Sequence, residues 1–174
     1  MESLQSPRLI YRELLPSDDL SMFELDSNPN VHRYLGNNPL TTIEQSRVYI
    51  ELVRDQYKTN GIGRMAVILK DSGEFIGWAG LKLERNVNGR DWFYDVGYRF
   101  IERYWGNGYA TEAAKFFIDY GFNVLKLRTI NASALFANIA SCKALQKAGM
   151  NIIETYDYQG EEAAWLEVIN IDNV

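Results

Sequence analysis

The sequence carries one cysteine, Cys142, and one histidine, His32. A single thiol excludes an intramolecular disulfide, and His32 has no Cys or His partner at ligand spacing, so no metal is expected. Proline is sparse at four residues, and no Pro-, Gly- or Ser-rich stretch is long enough to divide the chain. With no internal repeat either, residues 1–174 read as one domain. Long apolar runs are also missing. Nothing approaches the ~20 residues a bilayer span needs, and the first thirty residues lack the basic start and apolar stretch of a signal peptide. The expectation is a cytoplasmic protein without a membrane partner. Positive charge is in deficit, with 18 Lys and Arg against 23 Asp and Glu. This balance argues against a nucleic-acid surface, which draws on clustered cations, and makes a cationic or neutral partner more natural.

Apolar residues make up 47% of the chain, enough to build one sizeable core. Arg8 to Glu13 alternates like a half-buried strand. Pro16 to Asp19 opens a helix carrying Leu20, Phe23 and Leu25. Thr41 or Thr42 caps a second helix with Ile43, Val48, Ile50, Leu52 and Val53 on its apolar side, ended by Asn60 and Gly61. Met65–Leu69 and Glu74–Leu83 are strand-like and joined by a tight turn, and Asn86 to Gly89 makes the next turn. Trp92 to Phe100 is a fourth strand. Tyr94, Val96, Tyr98 and Phe100 share one face, while Asp95, Gly97 and Arg99 share a sparsely filled other face. A glycine-bearing loop follows, then a helix to about Phe122, a fifth strand near Arg128 to Leu135, a helix from Ile139 to Ala148 stopped by Gly149, and two last strands. Strands flanked by helices in this order mean α+β or mixed α/β.

The segment Arg103-Tyr104-Trp105-Gly106-Asn107-Gly108-Tyr109-Ala110-Thr111-Glu112 lies between the fourth strand and an amphipathic helix. A helix start leaves backbone N–H groups unpaired at the positive end of its dipole, and Gly106 and Gly108 let the chain approach an anion without Cβ obstruction. The same glycines also suit a ligand-free strand-to-helix turn, and spacing alone leaves both readings open. A dinucleotide fingerprint would want a third glycine where Thr111 stands and an acid about twenty residues on. No Gly-Lys-Ser or Gly-Lys-Thr occurs, which removes a Walker loop.

The run DVGYRFIERYWGNGYATEAA (95–114), followed by Asn138-Ile139-Ala140-Ser141 and Lys147-Ala148-Gly149-Met150, resembles the GCN5-related N-acetyltransferase (GNAT) superfamily. PRLIYREL and PNVHRYLG resemble its ribosomal-protein N-terminal acetyltransferase branch, the RimJ/RimL type. The resemblance implies a central, mixed, mostly antiparallel sheet of six or seven strands with about four helices and a splay between the fourth and fifth strands. It implies acetyl-CoA as co-substrate, an amine acceptor, and often a homodimer. Arg103, Gly106 and Gly108 fit the family motif. Phe100 and Ile101 would pair through their backbone with pantetheine; Gly106, Asn107, Gly108, Tyr109, Ala110 and Thr111 would hold the pyrophosphate; Asn138 would bond near the reactive end, and also reads as a helix cap. Met150 stands where the family usually has Phe.

An amine must be neutral to attack a thioester. A lysine-like amine near ~10.4 pays ~4 kcal/mol for that at neutral pH and an α-amine under ~1.5 kcal/mol, so a base matters more for the former. Asp95 corresponds to an acidic residue frequent in this branch and is a candidate base; Glu84 could serve through water. Ser141 matches the family serine that assists the departing thiolate. A tyrosine does this in many members, and the helix after the fifth strand has none. Cys142 has no nearby His in sequence and reads as a buried structural thiol. The alternative to an enzyme is a non-catalytic acyl-CoA-binding sensor or scaffold.

Overall fold

The computed structural model describes residues 4–171. Eight strands form one sheet: β1 (Leu4–Gln5), β2 (Leu9–Arg12), β3 (Met65–Leu69), β4 (Phe75–Val87), β5 (Arg90–Phe100), β6 (Thr129–Leu135), β7 (Asn151–Tyr158) and β8 (Glu161–Ile169). Their spatial order is β1-β2-β3-β4-β5-β6-β8-β7. Every neighbouring pair is antiparallel except β5 and β6. Five helices accompany them: α1 (Asp19–Asp26), α2 (Pro29–His32), α3 (Ile43–Asn60), α4 (Tyr109–Asn123) and α5 (Ile139–Lys147). The expected mixed sheet is present, with two short additions, β1 and α2. The strands expected as fourth and fifth are therefore β5 and β6.

Local sequence explains most boundaries. Val87 and Arg90 close a hairpin across Asn88 (φ 48°) and Gly89 (φ 69°), two left-handed residues whose twist suits antiparallel strands. Gln45 returns its side-chain carbonyl to the Thr42 N–H at 3.0 Å and fixes the start of α3, while left-handed Gly61 ends it. The buried side of α3 is Ser46, Ile50 and Val53, flanked by Tyr49 and Tyr57, a spacing of three and four residues. Val48 and Leu52 were expected on that side but are 61% exposed, because a 100° step per residue turns them away from this stripe. Leu20 is likewise exposed.

The sheet has two packed faces. Val67, Ala79, Leu81, Val96, Phe100, Ile130 and Ala132 meet Ala113, Phe117, Cys142 and Leu145 of α4 and α5. On the opposite face Ala66 and Trp78 meet Met22 and Leu25 of α1 and Ile50 and Val53 of α3. These helices cover one half of that face; on the half formed by β5, β6 and β8, Asp95, Asn131, Ser133 and Glu167 stand beside an aromatic cluster in which Phe93 and Tyr156 meet the buried Trp165. Among the described residues, no helix is long and apolar enough to cross a membrane.

Candidate active site

The sheet opens at its one parallel junction. β5 and β6 share a single bridge, Asp95 with Asn131, whereas β5 is paired with β4 as far as Phe100. Beyond Asp95 the two parallel strands diverge, and the gap leads to the N-terminus of α4 on one side and of α5 on the other.

At α4 the chain makes a cradle. Gly106 (φ 77°) and Gly108 (φ 79°) are both left-handed, and Gly108 caps the helix. Among the described residues, no backbone or side-chain acceptor takes the N–H groups of residues 106–111. Six adjacent free donors at a helix start fit a pyrophosphate. Asn107 folds the loop by donating from Nδ2 to the carbonyls of Tyr104 (3.0 Å) and Trp105 (3.2 Å). Trp105 donates from Nε1 to the Phe100 carbonyl at 2.8 Å, and the Ile101 N–H donates to Ile76 at 2.9 Å. Phe100 and Ile101 thus stand at the edge of the gap, each carbonyl keeping a free lone pair. Arg103 pairs with Glu24 and covers the ring of Tyr104 at 4.8 Å.

The cradle is latched to the start of the chain. Glu112, in the first turn of α4, accepts from Ser6 Oγ (2.7 Å), from the Arg8 N–H (2.8 Å) and from Arg8 Nε (2.6 Å), and Arg8 Nη1 reaches the Asn107 carbonyl at 2.8 Å. Burial opposes ionisation of Glu112, but these hydrogen bonds outweigh it and hold the carboxyl below its ordinary range. A carboxyl depressed in the folded state stabilises above its unfolded pKa and loses that contribution as pH falls through the folded value. Glu112→Gln should therefore cost about 2 kcal/mol at pH 7, the scale of hydrogen bonds to a charged group. The deficit should shrink as pH falls below the ordinary carboxylate range and through the folded value; urea melts of both proteins at pH 7 and across the acid range would expose a pH-independent deficit if charge were irrelevant.

The sparsely filled face of β5 is occupied by Arg64, which precedes β3. Gly80 and Gly97 lie opposite each other on β4 and β5, and a Cβ on Gly97 would stand 2.6 Å from Arg64 Nη2. In the notch left by these two glycines the guanidinium is buried, donating to the Gly80 carbonyl, to the Asp95 carbonyl at 2.9 Å and to Asp95 Oδ2. It also covers Trp78, whose ring lies 5.4 Å from Arg64 Cζ and 5.0 Å from Arg99 Cζ. Arg99 in turn pairs with buried Asp26, which His32 Nε2 approaches at 3.3 Å. Burial raises the Asp95 carboxyl above its usual range, and Arg64 draws it only partly back. Asp95 is therefore a fixed carboxylate of increased basicity with Oδ1 uncommitted. Glu84 lies two register positions farther from the gap and pairs with Lys82 at 2.8 Å, both about a third exposed.

At α5, Asn138 accepts from the Ser141 N–H at 3.3 Å and caps the helix. The Tyr98 hydroxyl lies 3.2 Å from Ser141 Oγ and 3.1 Å from the Ser141 carbonyl. Cys142 is 7% exposed, its thiol raised by burial and 3.8 Å from the Leu135 carbonyl, which suits a packing role. Among the described residues, no His, Cys, Asp and Glu cluster could hold a metal.

The structure thus gathers Asp95, Ser141, Asn138, Phe100, Ile101 and the 106–111 cradle around one gap; Glu84 and Arg103 lie at its margins. Arg64, Tyr98 and the Arg8–Glu112 latch escaped sequence reasoning. The signal for Arg64 was available in the two glycines of WAG and DVGY, one on each of two adjoining strands, where something had to approach closely.

Comparison with known proteins places this geometry. Residues 8–151 match the family model of the acetyltransferase (GNAT) domain. An uncharacterized N-acetyltransferase, p20, of Bacillus licheniformis is 33% identical over 155 residues, covering 86% of this chain and 85% of that protein. The structure of ribosomal-protein-S5-alanine acetyltransferase from Vibrio fischeri superposes with a TM-score of 0.77 at 20% identity, over 99% of this chain and 98% of that one. Spermidine N-acetyltransferase from Vibrio cholerae, in complex with CoA and spermine, gives 0.75 at 18% identity, over 94% and 96%. At these identities the two structures speak for the fold. The family match and the sequence relative carry the assignment: the chain belongs to the GNAT acetyltransferases and is an acetyl-CoA-dependent N-acetyltransferase.

Proposed function

We propose that acetyl-CoA enters the β5–β6 gap with its pyrophosphate on the N–H groups of residues 106–111, and that the acceptor amine approaches over the sheet face carrying Asp95. The supporting observation is the position of the single β5–β6 bridge, with Asp95 at the fork and the α4 and α5 helix starts facing the opening. Pantetheine would run along Phe100 and Ile101, with Asn138 near its reactive end. Gly106, Asn107, Gly108, Tyr109, Ala110 and Thr111 would hold the phosphates, and Arg103 would shape the loop from outside.

Asp95 Oδ1 takes one proton from the bound ammonium, directly or through one water, and passes it to solvent; the neutral amine then attacks and Asp95 Oδ1 takes the second N–H proton as the amide forms, while Arg64 immobilises Oδ2. Glu84, paired with Lys82 and two register positions from Asp95, would serve as the alternative base through a chain of water. As the C–N bond forms and the C–S bond breaks, sulfur leaves with the electron pair, and Ser141 donates a hydrogen bond to it. Direct transfer in a ternary complex needs no acyl-enzyme, consistent with the buried Cys142.

The acceptor class is a primary amine. The branch resemblance of PRLIYREL and PNVHRYLG supports a protein α-amine, and the uncommitted Oδ1 of Asp95 at the fork suits a primary amine of any class. Thiol release from acetyl-CoA against peptides with free N-termini, polyamines, amino sugars and small amines tests this. Release that depends on one class identifies it; binding without release across the panel would replace the transferase with a cofactor sensor.

A further inference from the structure

The helix that supplies Ser141 contains no tyrosine, yet a phenol reaches it from the sheet. Tyr98 lies on β5 three residues past the fork, where the strand no longer has β6 beside it. Its side chain leaves the face shared with Val96 and Phe100 and meets the first turn of α5, the Tyr98 hydroxyl standing at nearly equal distances from two oxygens of one residue, Ser141 Oγ (3.2 Å) and the Ser141 carbonyl (3.1 Å). Stacking against Phe100, at 6.2 Å between centroids, limits the ring from the other side.

A phenol has one proton and can serve one of these oxygens at a time. When it donates to the carbonyl, it is free to accept the Ser141 hydroxyl proton. When it donates to Ser141 Oγ, that proton is released to point elsewhere. We propose that Tyr98 is a positioning residue for the leaving thiolate: as negative charge gathers on sulfur, Ser141 turns its O–H to the sulfur and Tyr98 turns its O–H from the Ser141 carbonyl to Ser141 Oγ. Two aligned hydroxyls polarise one another, so the outer bond strengthens. This assignment rests on the reading of Ser141 as the thiolate's hydrogen-bond donor.

The protons balance without transfer from the phenol. Once the amine is neutral, the single N–H proton lost as the amide forms goes to Asp95; the C–S pair stays on sulfur; both hydroxyls keep their protons. Burial pushes the Tyr98 phenol up to about 12, against the opposing effect of its Ser141 contact. A thiol titrates near ~8.5, so a thiolate is far too weak a base to deprotonate Tyr98. Tyr98 consequently remains a neutral donor over the whole working range.

The test needs no acceptor. Coenzyme A is bound to the full-length protein, and its thiol is titrated by the ultraviolet absorbance of the thiolate; calorimetry confirms that each variant still binds it. In the wild type the bound thiol should titrate below free coenzyme A. Ser141→Ala should raise it by about one unit, and Tyr98→Phe by about half a unit, the scale of a lost charge-assisted hydrogen bond and of its reinforcement. The double variant should match Ser141→Ala, because Tyr98 acts only through that hydroxyl, and Ser141→Thr should restore the wild-type value. If Ser141→Ala raises the pKa and Tyr98→Phe leaves it unchanged, the Tyr98 role is wrong and the Ser141 role stands. No change in either variant removes both. Additive shifts in the double variant also overturn the proposal, since Tyr98 would then reach sulfur independently. Should Tyr98→Phe fail to bind coenzyme A, 3-fluorotyrosine at position 98 keeps the contact with a more acidic phenol, and the bound thiol should then titrate lower; an unchanged or higher value counts against the role.

Discussion

Asp95→Asn should lower kcat/KM by about 100-fold or more with a lysine-like or polyamine acceptor at pH 7, the lower end of what general-base catalysis contributes. The loss should be smaller with an α-amine. A lysine-like amine is neutral in about one molecule per thousand or fewer at that pH, whereas an α-amine is neutral in roughly one per ten, so the base has less to supply. Raising the pH supplies the neutral amine from solution, and the variant should recover about tenfold per unit until the acceptor's own pKa is reached. In the wild type the acid limb of the profile should lie above the ordinary carboxylate range, because burial raises the Asp95 carboxyl. The substitution also leaves Arg64 with a neutral partner in its notch between Gly80 and Gly97, so some stability will be lost with the activity. The pH recovery separates the two effects, since a damaged fold does not repair itself in alkali. If Asp95→Asn keeps its rate at every pH and Glu84→Gln loses it, the base is Glu84 acting through water.

Gly108→Glu should weaken coenzyme A binding by at least about 100-fold, or some 2.7 kcal/mol. The new carboxylate would stand beside the N–H groups that receive the pyrophosphate. Arg8 is the cation near that position, 3.6 Å from a Cβ built on Gly108, and it is already paired with Glu112. The repulsion is therefore uncompensated. Position 108 is left-handed (φ 79°), so any side chain there adds strain of about 1–2 kcal/mol. Gly108→Asn controls for this, because asparagine tolerates that conformation and carries no charge. Calorimetry should find Gly108→Asn within about tenfold of the wild type. Equal losses in the two variants would mean that backbone geometry, not charge, governs the cradle.

What could be read from the sequence followed from short-range chemistry. Asn88-Gly89 dictates a hairpin, Gln45 returning to Thr42 and Gly61 delimit α3, and Gly106 and Gly108 before an amphipathic run mark an anion-binding helix start. Periodicity failed where apolar residues were plentiful but out of phase. Val48 and Leu52 look like core by composition, and only the stripe through Ser46, Ile50 and Val53 shows which face is buried. β1 is two residues long, too short for any alternation to register.

The catalytic side was harder because its contacts join distant parts of the chain. Asp95 was visible as a carboxylate on a strand, but nothing local says that Arg64, thirty-one positions earlier, holds one of its oxygens. The Glu112 latch spans more than a hundred positions to Ser6 and Arg8. Tyr98 was legible as one of four residues on a packed face, and its meeting with Ser141 depends on how α5 is laid against β5. In each case sequence supplies the donor or acceptor, and the sheet order supplies its partner.

The central claim is that one gap between β5 and β6 holds the cofactor between the α4 cradle and Ser141 while leaving Asp95 open to the amine. A crystal structure of this chain with coenzyme A tests it most directly. The account predicts pyrophosphate oxygens on the N–H groups of residues 106–111, pantetheine along Phe100 and Ile101, and sulfur within hydrogen-bond reach of Ser141 Oγ. A coenzyme bound elsewhere on the sheet, or one whose sulfur lies away from both Ser141 and Asp95, would contradict it.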